Sequence, residues 1–300
     1  MMTRRRFILT AAGLLVPALP SSVSGQGPFV ARRLRDVKPP FGAVQINWGH
    51  TLARGLNALW LHNEAGGSRL FNLVAGVNNG LVTDAIWRVT RHGIGLFYDG
   101  AGSDRTSYGN NPTVLAPSTF SWTSMVSVTG GAIGTGQMLD AGIDSVNERF
   151  MRYSVSGGVP GGVFFVDGST GNSQATTPSL ETGLAFVVGT YDDAGDRIAR
   201  MYLNGVVGTA GSALIGTLQG VSTLFAGATR NNVSVFNGTI LFQSVYRRVL
   251  SPAEILELYA EPYAFLQPVP AVTYVFLRTP AAAEVPSAVP PLRSLMGVGR

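Results

Sequence analysis

The sequence predicts an all-β protein, an antiparallel two-sheet jelly-roll sandwich with one short C-terminal helix. Thirty-eight of its 300 residues are glycine, and so many glycines favour short strands joined by tight turns. Apolar residues make up 45% of the chain and charged residues only 13%, which suits a large buried core rather than intrinsic disorder. The strand candidates follow one another without a strand–helix–strand rhythm, which favours antiparallel pairing.

Residues 120–128 give the clearest strand pattern, because Phe120 and Trp122 alternate with small polar residues. Trp60 and Trp122 both lie in apolar strand candidates, so we expect them in the core. Asn204-Gly205 predicts a two-residue hairpin turn. The other predicted strands are residues 56–61, 94–98, 151–155, 163–166, 184–191, 198–203, 224–226 and 239–246.

One helix is predicted just after residue 250. Ser251 and Glu254 have the spacing of a capping box, and Pro252 occupies the first helical position. Ile255, Leu258 and Tyr259 lie on one side of this helix, so we expect that side to pack on the sandwich. Glu261-Pro262 should end it.

The N-terminal segment has the pattern of an export signal. Arg4, Arg5 and Phe7 precede a short apolar run, an order that resembles a twin-arginine signal. We therefore expect residues 1–25 to be a signal or basic N-terminal segment, cleaved after Ser24 or Gly25, and residues 26–46 to be an extended arm. Residues 47–268 form the predicted domain, and residues 269–300 are a Pro/Ala-rich tail in which 272–277 is the one strand candidate.

Charge and cysteine content exclude several function classes. Residues 1–38 hold seven of the 22 basic residues and one acid, so the remaining 262 residues hold 15 basic and 16 acidic groups. This near-neutral body argues against nucleic-acid binding. Lys38 is the only lysine and lies in the predicted arm, so no Schiff-base lysine is expected in the body. The chain has no cysteine, which excludes disulfides, thiolate metal sites and a cysteine nucleophile.

Four runs of sequence resemble laminin-G-like jelly-roll domains of the concanavalin-A-like lectin/glucanase superfamily. VVGTYD at 187–192 and ARMYLNG at 199–205 are similar to paired late strands; FNGTI at 236–240 and YRRVLSPAEI at 246–255 are similar to the closing strand and helix. The resemblance spans about residues 50–262 and implies a jelly roll that binds sugars or surfaces, sometimes with Ca²⁺. Family members commonly have Trp-His-His before VVGTYD; here residues 183–186 read GLAF, so no ligand is inferred from that position. INWGH at 46–50 and EPY at 261–263 give a weaker similarity to phage or prophage structural proteins.

Catalysis is not predicted. Glucanases of this superfamily need closely spaced carboxylates on one strand face. Asp140 and Asp144 would share a strand face, but they would lie about 13 Å apart on an extended strand. Glycoside hydrolysis uses separations of roughly 5–9.5 Å. Acids brought together from distant strands stay open as an alternative. His50, His62 and His92 occur singly, without metal-ligand spacing, which predicts structural or surface roles.

The sequence offers two candidate ligand sites. Asp192, Asp193 and Asp196 form the richest oxygen cluster and could hold Ca²⁺, although a polar hairpin turn accounts for the same residues. Trp87 lies near a turn and is the aromatic residue expected to be exposed, so it is the candidate for stacking on a sugar, with packing as the alternative.

Two functions fit these observations. The first is an extracytoplasmic, non-catalytic module that binds carbohydrate or another surface ligand through loops at one sandwich edge. The second is a virion or surface-assembly protein, such as a capsid-decoration or fibre subunit, in which arm and tail make contacts in a homo-oligomer or larger assembly. A glycan-active hydrolase is the third and weakest hypothesis. No nucleic-acid partner and no transmembrane span are predicted.

Overall fold

The structure is a computed structural model that describes residues 38–74, 78–100, 103–128, 136–142, 148–156, 159–177, 183–220, 223–229, 231 and 234–269. The predicted signal residues Arg4, Arg5 and Phe7, most of the predicted arm and the tail from residue 270 lie outside this part. No helix among the described residues is long and apolar enough to span a membrane.

Most of the described chain is β-strand. The strands are β1 (Val44–Ile46), β2 (Leu56–Trp60), β3 (Arg69–Leu70), β4 (Gly80–Thr83), β5 (Ile86–Thr90), β6 (Gly93–Asp99), β7 (Arg105–Asn110), β8 (Thr119–Val128), β9 (Gly136–Gly142), β10 (Glu148–Ser156), β11 (Val159–Asp167), β12 (Asn172–Thr176), β13 (Gly183–Asp192), β14 (Arg200–Leu203), β15 (Val206–Val207), β16 (Thr223–Ala226), β17 (Asn237–Tyr246) and β18 (Leu266–Pro268). The helices are a 3-10 turn (Thr51–Ala53), α1 (Pro112–Leu115) and α2 (Pro252–Ala260).

Two large antiparallel sheets form the sandwich, as predicted. The first, which we call the helix-side sheet, has the strand order β15-β14-β13-β8-β17-β6-β5, and β2 also pairs with β17. The second, which we call the open sheet, has the order β12-β11-β10-β9-β16-β7-β4-β3. A separate pair joins β1 to β18. The non-consecutive neighbours in both sheets are the crossovers of a jelly roll.

The predicted turn at Asn204-Gly205 is confirmed. Both residues have positive φ, 53° and 82°, the conformation that Asn and Gly tolerate best. The turn joins β14 to β15. The predicted strand at 198–203 is shorter than expected, because Ile198 forms only an isolated bridge with Ala213.

The main core lies between the two sheets. Trp60 and Trp122 are fully buried in it, as predicted. Gly189 of β13 lies directly against the ring of Phe164, and a Cβ atom at this position would be 2.4 Å from Cδ2 of that ring. The glycine of VVGTYD therefore lets the two sheets approach closely.

A second apolar cluster covers the other face of the helix-side sheet. Ile255 and Leu258 of α2 join Phe186, Phe242 and the segments next to β1 and β18 there. The small polar residues of β8 that face this side, Ser121 and Thr123, are completely buried, because the helix and these two segments exclude water from this face of the sheet.

The capping box that begins α2 is confirmed. The Ser251 hydroxyl accepts a hydrogen bond from the Glu254 amide, and the Glu254 carboxylate accepts one from the Ser251 amide. Glu254 also binds Arg248 through two contacts of 2.7 and 2.8 Å. One expectation was wrong: Tyr259 is 44% exposed, so only Ile255 and Leu258 form the buried stripe of this helix.

The domain includes residues that the sequence analysis placed in the arm. Val44–Ile46 pairs with Leu266–Pro268, and Lys38 is buried. The Lys38 amine donates to the carbonyl oxygen of His62 at 2.7 Å and to that of Ile94. The placement of Lys38 in an extended arm was therefore wrong, because these backbone acceptors hold Lys38 inside the sandwich.

Replacing Gly189 by alanine should lower the free energy of unfolding by about 1–3 kcal/mol, because the new methyl group overlaps the buried Phe164 ring. Urea denaturation of the full chain measures this change. Gly66→Ala is the matched control, since no atom lies within 4 Å of the corresponding Cβ position. Equal stability of the two variants would contradict the close contact between Gly189 and the Phe164 ring.

The Arg248 guanidinium and the Ser251 hydrogen bonds lower the pKa of Glu254 from 4.5 to about 2. A carboxylate with a depressed folded-state pKa stabilises the fold above its unfolded pKa, and this stabilisation is lost as the pH falls through the folded value. Glu254→Gln should therefore cost about 1 kcal/mol at pH 7. The difference from the wild type should shrink between pH 4.5 and pH 2; a constant difference in denaturation series across this range would contradict it.

Candidate functional site

The two outer faces of the sandwich differ. The second apolar cluster packs on the helix-side sheet. On the open sheet, alternate residues point either into the core or outward. Met151, Phe164 and Leu224 belong to the main core, whereas Phe150, Phe165 and Phe225, next to them in sequence, belong to neither cluster. These phenylalanines therefore lie on the outer face of the open sheet.

Strand register aligns one outward residue from each strand into a continuous line, which we call the central row. Directly paired residues on antiparallel strands lie on the same face. With strands about 4.8 Å apart, eight of them span about 34 Å. From β12 to β3 the central row is Gln174, Phe165, Phe150, Asp140, Phe225, Ser107, Leu81 and Arg69.

The middle of the central row is buried and its ends are open. Asp140 is 2% exposed and lies between Phe150 and Phe225, whereas Leu81 is 56% exposed. Phe150 stacks on Phe165 with ring centroids 4.7 Å apart and the planes within 4° of parallel. Phe165 is half-buried. The row therefore combines an apolar floor with a partly accessible aromatic ring, an arrangement that suits the apolar face of a sugar.

Two arginines lie along one side of the central row. Arg152 follows Phe150 by two residues, and its guanidinium carbon is 4.4 Å from the centre of that ring. Arg105 precedes Ser107 by two residues and lies 5.5 Å from the centre of the Phe225 ring. Both are half-buried. These cation–π contacts hold each guanidinium group close to a phenylalanine ring of the central row.

Arg152 lies next to a second polar side chain, Gln137, whose amide oxygen has no hydrogen-bond partner among the described residues. Gln137 pairs with Arg152 in register and is 2% exposed. The Arg152 Nε and the Gln137 Oε1 make no hydrogen bond with the described residues. Burial lowers the pKa of Arg152, and the charge of Glu148 opposes that shift. Buried polar atoms without partners are costly, so their presence on one face points to a ligand.

The acids lie elsewhere on this face. Glu148 precedes Phe150 by two residues, on the side of the central row away from Arg152. Asp140 and Glu148 are diagonal neighbours on paired strands, for which Cβ atoms are about 7–8 Å apart. The sequence analysis compared Asp140 only with Asp144, which lies outside the described residues. Cross-strand register thus brings together a carboxylate pair that spacing along one strand did not reveal.

A smaller groove lies between α2 and the helix-side sheet. Its volume is about 130 Å³, which is large enough to hold water molecules. The half-exposed Tyr259 stands at this groove with Asn204 and His92. Lys38 also lines it; burial lowers the pKa of this amine well below its usual value, and Glu64 opposes the shift. Because the Lys38 amine already donates to two backbone carbonyls, the groove offers fewer unused polar groups than the open sheet.

Trp87 packs rather than standing free. It is half-buried on β5, contacts the main core and donates from Nε1 to the carbonyl oxygen of Gly67 at 2.9 Å. The most exposed indole among the described residues is Trp48, which is 57% exposed. The expectation that Trp87 is the exposed aromatic was therefore wrong, because the edge strand turns its ring towards the other sheet.

Asp192, Asp193 and Asp196 lie in the turn after β13, but they face different partners. Asp192 accepts from Thr119, Asp193 from Tyr191 and Arg197, and Asp196 binds Arg200. The hydrogen bond from Arg200 lowers the pKa of Asp196. No group of three His, Asp or Glu side chains in the described part of the chain is arranged to hold a metal ion. The hairpin-turn interpretation accounts for these contacts.

Comparison with known proteins identifies the fold family. The family model for the concanavalin A-like lectin/glucanases superfamily matches residues 99–256. Curated protein sequences give no significant match. These findings give no support to the weaker similarity to phage structural proteins.

Three solved structures illustrate the shared fold. Trypanosoma rangeli sialidase in complex with sialic acid has a TM-score of 0.52 and 21% identity, and the match covers 70% of this chain and 33% of the sialidase. The chain thus spans about a third of that protein. Domain 4 of a GH43 extracellular arabinanase from Geobacillus stearothermophilus, in complex with arabinotriose, has a TM-score of 0.55 and 15% identity over 68% of this chain and 98% of that domain. The binding domain of Paraclostridial Mosquitocidal Protein 1 has a TM-score of 0.54 and 15% identity over 71% and 54%.

Proposed function

The chain belongs to the concanavalin A-like lectin/glucanase superfamily, and we propose that it is a non-catalytic carbohydrate-binding module whose ligand lies on the outer face of the open sheet. The observation that carries this proposal is the central row, in which three phenylalanines, one buried aspartate and flanking arginines share one face. Sugar rings contact aromatic side chains face-on, and sugar hydroxyls form hydrogen bonds with charged groups. A carbohydrate site therefore combines aromatic and charged residues, as this face does.

The sheet face is preferred to the loops at one sandwich edge, where the sequence analysis placed the ligand. The Asp192–Asp196 turn uses its carboxylates internally, and Trp87 packs against the core. On the open sheet, by contrast, Phe165 is half-buried and the Arg152 Nε has no hydrogen-bond partner in the part of the chain that the structure describes. The arabinanase domain that shares the fold was solved with arabinotriose, which supports an oligosaccharide as the ligand class.

Phe165→Ala should weaken the binding of an oligosaccharide by about tenfold or more, since it removes the accessible ring of the central row. A glycan array read with the full chain selects the ligand, and isothermal titration measures the affinity. Phe97→Ala is the matched control, because Phe97 is also a half-buried strand residue under an arginine, Arg88 at 3.4 Å, on the outer face of the helix-side sheet.

Two results would contradict this proposal. A blank array for the folded wild type would argue against carbohydrate binding, and equal losses of affinity in both variants would argue against the open sheet as the binding face.

The titrated samples should also be analysed for released reducing ends, which measure glycan hydrolysis. Release that disappears in Asp140→Asn would replace binding with glycan hydrolysis, the function that the diagonal pair Asp140 and Glu148 favours.

The proposed location is outside the cytoplasm, reached through the twin-arginine-like pattern of Arg4, Arg5 and Phe7. Intact-mass measurement of protein from its natural source should therefore give a chain that lacks about the first 25 residues. An intact Met1 in protein isolated from a particle would contradict export and favour the alternative of a virion or surface-assembly subunit.

A further inference from the structure

We propose that the glycan bound on the open sheet carries a carboxylate, and that the guanidinium of Arg152 binds it. This inference rests on the proposed carbohydrate function and names the ligand class for the same face. It starts from the Arg152 side chain, whose contacts differ from those of Arg149, Arg200 and Arg248.

Three other arginines use their terminal guanidinium donors within the protein. Arg149 donates from Nη1 and Nη2 to the carbonyl oxygens of Ala116, Pro117 and Gln219, although its Nε, like that of Arg152, has no partner among the described residues. Arg200 binds Asp196, and Arg248 binds Glu254. These contacts explain the positions of these three side chains without any ligand.

The Arg152 guanidinium is positioned by contact with an aromatic ring. Its guanidinium lies over Phe150 at 4.4 Å, and its Nε has no hydrogen-bond partner among the described residues. A planar guanidinium that stacks on a ring keeps its N–H groups at its edge. Two parallel N–H groups match the two oxygens of a carboxylate, which is the geometry of the strongest arginine contacts.

Among the described residues, those in register with Arg152 carry no acid. The line that pairs across β12, β11, β10 and β9 reads Thr176, Val163, Arg152 and Gln137. Farther along, Arg105 pairs with Thr83. Glu148 lies on the opposite side of the central row. A glycan with its carboxylate at Arg152 would therefore place a ring at the half-buried Phe165, with its hydroxyls towards the half-buried Glu148.

Gln137 adds a second polar group to the same place. Its side chain is almost completely buried beside Arg152 and its Oε1 is unpaired. An amide oxygen accepts hydrogen bonds, so it would accept from a ligand hydroxyl next to the carboxylate. Arg152 and Gln137 would thus bind a carboxylate and a neighbouring hydroxyl group together. An acidic sugar has both groups, whereas a simple carboxylate lacks the hydroxyl.

The test compares each acidic ligand with its neutral methyl ester, so that the two differ only in the acid. Isothermal titration of the full chain uses 3′-sialyllactose and oligogalacturonate, each against its own methyl ester. We expect the acidic member of at least one pair to bind about tenfold more tightly or better. Arg152→Gln should reduce that affinity to the level of the neutral partner, and Arg152→Lys should restore only part of it because lysine lacks the fork. Arg88→Gln, at the stacked arginine of the other sheet, should change nothing.

The outcomes separate this inference from the proposed function. Binding of acidic and neutral members with equal affinity would overturn the carboxylate preference and leave carbohydrate binding intact. Full acid preference in a folded Arg152→Gln variant, checked by thermal unfolding, would overturn the role of Arg152. Failure to bind any glycan, on these pairs and on the array, would overturn the proposed function itself.

Discussion

Alternation of side chains across the strands of the open sheet is the constraint on which the proposed site depends. Each strand must turn one set of residues into the core, where Met151, Phe164 and Leu224 pack. The intervening residues are then forced onto the outer face, and antiparallel register aligns them across eight strands. A one-residue slip of β10 would bury Arg152 in the core and expose Met151, so core packing fixes the binding face.

The asymmetry of the sandwich follows from α2 and the two segments near β1 and β18. Ile255 and Leu258 seal one sheet from water, together with residues such as Leu52 and Phe265. The capping box and the Arg248–Glu254 pair hold this short helix in place, because nine residues are too few to be stable alone. The closure of this side leaves the open sheet, where Phe165 and Arg152 are half-buried and the ends of the central row are exposed, as the face that can meet a ligand.

The sequence predicts the fold well and the site poorly, for a physical reason. Strong alternation or a local motif identifies β8, β13, β17, the hairpin turn and α2, since each of these signals lies within a few residues. Polar or glycine-rich strands such as β7 and β9 lack that signal. The site depends on register between strands distant in sequence, so Phe225 and Asp140 meet through pairing that no local pattern encodes. The alternation around Met151 nevertheless implied that Phe150 and Arg152 face away from the core, and this was the available clue.

Hydrogen–deuterium exchange of the full chain, with and without a glycan at saturating concentration, tests the central claim most directly. The account predicts slower exchange in β9, β10, β11 and β16, which form the middle of the open sheet, and unchanged exchange in β5 and α2. Protection confined to the groove residues Tyr259, Asn204 and His92 would contradict it, because the ligand would then lie on the other side of the sandwich.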